Sequence, residues 1–129
     1  LQEGRPDEAA DIFTALAYMN PADGEALNNL GFCLIPKSAA QAVGPLDRAT
    51  RLPLKQPGLN TANRAFVRHL LGRDAEALSL LESIQAPEAD VFGWREPECG
   101  SLSLRSMQLP VYVDDLHQHI TSRLAATAN

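Results

Sequence analysis

Apolar residues recur through the first 85 positions at helical spacing, three and four apart, and short polar turns break the recurrences. Ile12, Phe13 and Leu16 put an apolar face on a helix over 6–19. Leu27, Leu30 and Leu34 form the next stripe, with Gly31 inside it, and Ala42, Leu46 and Ala49 form a third. Leu59, Ala62, Phe66 and Leu70 make a fourth; Ala77, Leu81 and Ile84 make a fifth. The breaks carry turn chemistry. Asn20-Pro21-Ala22-Asp23 is a turn that leads into a helix start. Ser38-Ala39-Ala40-Gln41 fits a capping box, in which the serine oxygen and the glutamine side chain cover free amides. Leu52-Pro53 through Pro57-Gly58 reads as a linker, and Asp74 opens the fifth helix. Gly44-Pro45 interrupts the third. Proline inside a helix removes a backbone bond and clashes one turn back, at a cost of about 3 kcal/mol or more. That helix is expected to kink, or to restart with Pro45 at its first position.

The fourth stripe has a competing register. Counted back from Gly72, Arg64 and Arg68 fall at apolar positions. Counted from Leu59 the stripe is clean, and the turn is about two residues longer. Burying two unpaired arginines costs more than lengthening a loop, so the Leu59 register is preferred. Beyond Ile84 the pattern changes. Pro87, Gly93, Pro97 and Gly100 interrupt any long helix through 110. This segment reads as irregular, with a short helix over 87–95 carrying Val91, Phe92 and Trp94. Leu102 and Leu104 alternate with serines, which is a strand signal. Val113, Leu116, Ile120 and Leu124 follow Pro110 as a last helical stripe. It is read as a capping helix over the open end of the stack; Trp94, beside Gly93, is either a core plug for the cap or an exposed contact.

Gly4-Arg5-Pro6-Asp7-Glu8-Ala9 and Gly72-Arg73-Asp74-Ala75-Glu76-Ala77 share the pattern G-R-x-x-E-A and stand 68 residues apart. That is two periods of 34, the length of the tetratricopeptide repeat, a pair of antiparallel helices. Ala9, Phe13, Leu16 and Pro21 are spaced four, three and five apart; Ala77, Leu81 and Ile84 repeat the first two spacings. Both sets resemble the second helix of such a repeat. Leu27, Leu30-Gly31 and Leu34 resemble its first helix, with Gly31 at the close-contact position. Ala42, Leu46 and Ala49 repeat the second-helix spacing in a repeat one residue short. On these residues, positions 1–85 resemble the tetratricopeptide repeat family. The resemblance implies an all-α fold: an α-solenoid of antiparallel helix pairs, about 2.5 repeats long. Residues 86–129, the irregular segment plus capping helix, are expected to pack on the same domain. Leu1 stands three residues before the first Gly-Arg turn, so the first repeat reads as truncated. Upstream repeats or another domain of the same chain are expected, because a repeat cannot bury its face alone. Without them Ile12, Phe13 and Leu16 would lack half their cover.

Composition narrows the class. A chain of 129 residues, 45% hydrophobic and 5% aromatic, suits one domain packed largely through alanine and leucine. No apolar run reaches the ~18 residues of a membrane span, and no basic-then-apolar leader opens the chain. Cys33 and Cys99 lack the companion spacing of a zinc site or a disulfide framework. A reduced, cytoplasmic setting is the simpler expectation. Charge is uneven. Arg48, Arg51, Lys55, Arg64, Arg68 and Arg73 lie in a stretch, 48–73, that holds no acid; against a total of −5, the rest of the chain carries −11. A basic patch of Arg48, Arg51, Arg64, Arg68 and Arg73 suits an acidic partner segment or phosphate groups. Net charge, few aromatics and no recognition motif argue against nucleic acid.

The resemblance also implies a concave groove lined by first helices. Here that means Asn28, Asn29 and Phe32 in the second repeat and Asn63, Phe66 and His69 in the third. Asparagine both donates and accepts bonds to an extended backbone, and Phe32 either meets an apolar side chain or packs inward. Some family members clamp a terminal carboxylate with lysines and asparagines; the first helix of the second repeat offers asparagines but no lysine, and it has Glu25. Asp114, Asp115, His117 and His119 look like a metal cluster in linear order but spread around a helix. Asp115 and His119, one turn apart, read as a surface pair. Ser101 and His69 lack hydrolase spacing, and no phosphate-binding glycine loop is present. The expected function is a non-catalytic protein–protein interaction module that binds a peptide or partner helix in the groove, without metal or cofactor. One alternative is a regulatory or ligand-sensing domain of a larger enzyme or signalling protein. Another is a small tetratricopeptide chaperone of bacterial secretion systems, which Leu30-Gly31-Phe32-Cys33 resembles.

Overall fold

The computed structural model describes residues 6–85, 89–95 and 102–127. Its elements are α1 (Pro6–Met19), α2 (Gly24–Leu34), α3 (Ala39–Ala49), α4 (Pro57–Leu70), α5 (Asp74–Glu82), β1 (Asp90–Arg95), β2 (Ser103–Gln108) and α6 (Leu109–Thr127). Each of the first five helices packs on the next, and α6 packs on α4, α5 and both strands. The five early helices lie where the apolar stripes place them. Their ends follow local chemistry. Asp23 caps α2, its carboxylate accepting the Ala26 N–H at 3.1 Å. Ser38 caps α3, its hydroxyl accepting the Gln41 N–H at 3.3 Å, the serine half of the expected box. Pro57 sits in the first turn of α4, where its missing N–H costs nothing.

The G-R pair of the second hexapeptide is a helix stop. Gly72 takes φ +81, its N–H donates to the His69 carbonyl, and the Arg73 N–H donates to the Arg68 carbonyl at 2.7 Å. This is the Schellman arrangement that glycine permits. The first copy of the pair, Gly4-Arg5, and the side chain of Ala9 lie outside the described residues.

Two expectations need correction. The third helix does not restart at Pro45: α3 runs unbroken from Ala39 to Ala49 with the proline inside it. The carbonyl that loses its bond belongs to Gln41, an exposed residue, so water can take the vacant place. And residues 90–95 form a strand, not a short helix. β1 pairs antiparallel with β2, Val91 opposite Met107 and Trp94 opposite Leu104. Val91, Phe92 and Trp94 favour a pleated surface and Gly93 disfavours a helix. The chain is therefore mostly helical, with one two-stranded antiparallel sheet where an irregular segment was expected. Pro87, Pro97, Cys99, Gly100 and Ser101 lie outside the described residues.

The core runs from Phe32 and Leu46 through Ala62, Phe66 and Ala77 to Trp94, Tyr112, Leu116 and Ile120. α4 sits at its centre: Asn60, Ala62, Asn63, Ala65, Phe66, Val67 and His69 are all buried, so nearly every face of this helix is covered. Arg64 and Arg68 are half-buried on it after all, but they are paired. Arg64 Nε lies 2.9 Å and Arg68 Nη2 3.0 Å from the Asp47 carboxylate of α3.

Gly31 sets the approach of α2 and α3, since a Cβ there would meet Leu46 Cγ at 2.5 Å. Gly44, also in α3, has nothing within 4 Å of such an atom. The two glycines should respond oppositely to alanine. Gly31→Ala should destabilise by about 1–3 kcal/mol through overpacking, and by less in a Leu46→Ala background. Gly44→Ala should stabilise by up to ~1 kcal/mol through helix propensity. Thermal unfolding of the variants checks both signs.

Candidate functional site

α2 presents Asn28 and Phe32 one turn apart, with Asn29 beside them; α4 presents Leu59 and Asn63 one turn apart. With Phe92 of β1 these residues line a pocket of about 230 Å³. Four of the six expected groove residues thus meet at one place. The other two do not. Phe66 is buried, stacked with the His69 ring at a centroid distance of 6.4 Å, and His69 Nδ1 donates to Asp74 at 2.6 Å.

The pocket is narrow because the chain covers its own groove face. Trp94 stacks on Phe32 with ring centroids 5.0 Å apart, and its indole N–H donates to the Phe32 carbonyl at 2.9 Å. Phe32 therefore packs inward, and Trp94 is the plug the sequence suggests, carried on a strand. Gly93 lets β1 pass over the Tyr112 ring, which a Cβ would meet at 2.7 Å. Tyr112 is buried and donates its hydroxyl to Asn63 Oδ1 at 2.9 Å. Burial pushes its ionisation far above the ordinary range despite a backbone hydrogen bond with Trp94, so it remains a neutral donor.

Sequence reasoning did not assign Leu59, Phe92 or Tyr112 to the site, and it missed Asn60 altogether. Asn60 is buried, and its amide donates to Asn28 Oδ1 at 3.0 Å and to the Leu46 carbonyl at 3.1 Å, tying α4 to α2 and α3. Its place one turn before Asn63 on a helix with so few exposed faces was the available signal. Two polar atoms in this network, Asn60 Oδ1 and Asn63 Nδ2, are buried and have no partner among the described residues.

The basic stretch is divided. Arg64 and Arg68 converge on Asp47, and Arg68 also lies 3.8 Å from Glu76. Burial pushes the Asp47 carboxyl up, but hydrogen bonds and charge from the two arginines outweigh it and hold the group below its usual range. Arg48, Arg51 and Arg73 are exposed. Arg73 lines a separate surface hollow with Asp74, Glu76 and Arg123. There Asp74 accepts from His69 and from Arg123 of α6, whose Nη2 lies 2.9 Å from Oδ1, and Arg123 also donates to the His69 carbonyl. Burial raises the Asp74 carboxyl, and these two partners more than reverse it. The cluster clamps α6 onto the junction of α4 and α5.

On α6, Asp114, His117 and His119 are exposed and Asp115 is half-buried. Among the described residues no three His, Cys, Asp or Glu side chains gather as a metal site. Burial raises the Cys33 thiol to about 11, which leaves it unreactive at neutral pH. Among the described residues no helix is long and apolar enough to cross a membrane. Comparison with known proteins gives no matching family model, no matching curated protein and no matching solved structure.

Asp47 and Asp74 set the acid limit of stability. Both carboxyls are lowered in the folded state, so their contribution is present above the ordinary carboxyl pKa of about 3.9 and is lost as pH falls through the folded values. Urea denaturation as a function of pH should show stability falling below about pH 4. Asp74→Asn should cost about 2 kcal/mol at pH 7 and flatten the acid slope; Asp47→Asn should flatten it as well.

Proposed function

We propose that the chain is a non-catalytic interaction module of tetratricopeptide-like helix pairs that holds one apolar side chain of a partner's extended segment in the pocket between α2, α4 and β1. The pocket's volume falls below the ~300–1,000 Å³ of small-molecule and cofactor sites, and suits a single side chain. Phe32, Leu59 and Phe92 supply apolar walls. Asn29, half-exposed, stands at the rim, where its amide can bond a partner's backbone.

The observation that carries the reading is Asn63 Nδ2, a fully buried donor without a partner on a residue that lines the pocket. An unmade bond of this kind costs about 1–3 kcal/mol, and a partner carbonyl would remove that cost once the side chains covering the atom shift to admit it. Trp94 fills the rest of the groove face, so the proposal is one anchor position and not a long peptide track. With Arg64 and Arg68 taken by Asp47, the recognised features are the partner's backbone and one apolar group; an acidic partner is not required.

The test is nuclear magnetic resonance with N-acetyl-leucinamide and short leucine-containing peptides as probes. The Asn63 side-chain amide and the Trp94 indole should shift on addition. Leu59→Trp should fill the pocket and abolish the shifts. Asn29→Ala should weaken peptide binding about fivefold, the worth of one net hydrogen bond near 1 kcal/mol. Shifts that survive Leu59→Trp would move the site elsewhere, and turnover of any substrate would refute the non-catalytic assignment.

A further inference from the structure

One side of α1 is bare. Ile12 is 60% exposed, Leu16 43% and Met19 79%. Their spacing of four and three residues puts them in a single stripe. Tyr18, 89% exposed, lies on another side of the helix. The other exposed large apolar residues described are scattered: Leu71 in the turn after α4, Phe92 on β1 and Val111 on α6. Contiguous apolar surface of this kind marks an interaction site, whereas scattered residues need no explanation. α1 packs on α2, and Phe13, off the stripe, packs against the core.

Charge identifies the occupant. Between residues 6 and 36 the chain has Asp7, Glu8, Asp11, Asp23 and Glu25 and no lysine or arginine. Asp11 is exposed, and the last turn of α1 has no basic residue to answer the negative end of its dipole. A helix that lies on an anionic membrane carries Lys and Arg on its polar face; α1 carries none. Two copies paired through α1 would bring acid against acid across a segment, residues 6–36, that holds no base of its own. A basic amphipathic helix satisfies both the stripe and the charge. We infer that the Ile12–Leu16–Met19 face of α1 docks an amphipathic helix of a partner protein, apolar at i, i+4 and i+7 and flanked by Lys or Arg. One helix face falls short of the ~800 Å² per partner of a standard interface, so the complex is weak and transient. This surface shares no residue with the pocket.

The experiment uses the whole chain and two labelled probe peptides. Both carry leucine at i, i+4 and i+7; one has lysine flanks and the other glutamate at the same positions. Fluorescence anisotropy should show the lysine peptide binding at least tenfold more tightly, with affinity falling as salt is added. Ile12→Gln with Leu16→Gln should reduce that binding at least tenfold while circular dichroism and melting stay unchanged. Should that pair disturb folding, Ala15→Lys decides: it keeps the stripe, adds an exposed like charge beside it, and should weaken the lysine peptide alone. Equal binding of both peptides, or binding indifferent to Ala15→Lys, overturns the inference. So does a concentration-dependent dimer abolished by the glutamine pair, which would make a second copy the occupant. Co-sedimentation with phosphatidylserine vesicles through the same residues overturns it in favour of a membrane.

Discussion

The structure depends on one helix that must be buried on nearly all sides while carrying polar side chains. α4 holds two asparagines, a histidine and two arginines away from bulk water. Each has to find a partner, because an unmet polar group in the interior costs as much as several good apolar contacts. The partners come from four different elements. Asn60 reaches α2 and α3, and Arg64 and Arg68 reach Asp47 on α3. His69 meets Asp74 at the start of α5, and Asn63 meets Tyr112 on α6. Apolar burial supplies most of the driving force, but it is indifferent to rotation of one helix against another. The directional bonds from α4 fix which face of each neighbour points inward.

The same network explains why the groove face is closed in so specific a way. Tyr112 can reach Asn63 only if α6 comes in over α4, and β2 runs straight into α6 without an intervening turn. Docking α6 thus drags the sheet across α2, where Gly93 gives β1 room over the Tyr112 ring and Trp94 finds the Phe32 carbonyl. The geometry satisfies one end of the Asn63 amide and leaves the other unmet. The proposed anchor site lies where this compromise falls, which is why it is small and why its polar edge consists of asparagine and not of charge.

The helices were legible because their information is local. Period, caps, Pro57 and the Gly72-Arg73 stop all act within one or two turns, and they place α1 to α5 and the α6 stripe. The sheet was half legible: the alternation of Leu102 and Leu104 with serines falls at β2, but β1 was read as a short helix. A six-residue strand such as Asp90–Arg95 is decided by a partner beyond the connecting segment, and Val91, Phe92 and Trp94 fit a short helix equally well when read alone. The site was half legible. Asn28, Asn29, Phe32 and Asn63 were placed together by the repeat resemblance. The burial of Asn28, Asn63 and His69 was not foreseen, because an apolar pattern counts asparagine and histidine as surface. Charge misled for a similar reason. The acid-free stretch 48–73 is bounded by Asp47 and Asp74, the two carboxylates that engage Arg64, Arg68 and Arg123 in space. A window along the sequence cannot see pairs formed between helices.

The two ends of the helix succession differ physically, and the difference bears on how the module can be extended. At one end α6 lies on α5 and α4, held by the Asp74–Arg123 clamp and by Leu116 and Ile120 in the core. Its exposed side is mostly polar, with Asp114, His117 and His119 around a single exposed large apolar residue, Val111, so a helix laid there would find no apolar stripe to bury. On the other side of the succession α1 packs on α2 and, among the described residues, shows Ile12, Leu16 and Met19 to solvent. Stacked helices gain stability from each neighbour they add, so growth by association is favourable in one direction only. The clamp that closes the α6 end and the bare stripe on α1 together give the module a polarity, and the uncompensated acids near α1 restrict what can join it there.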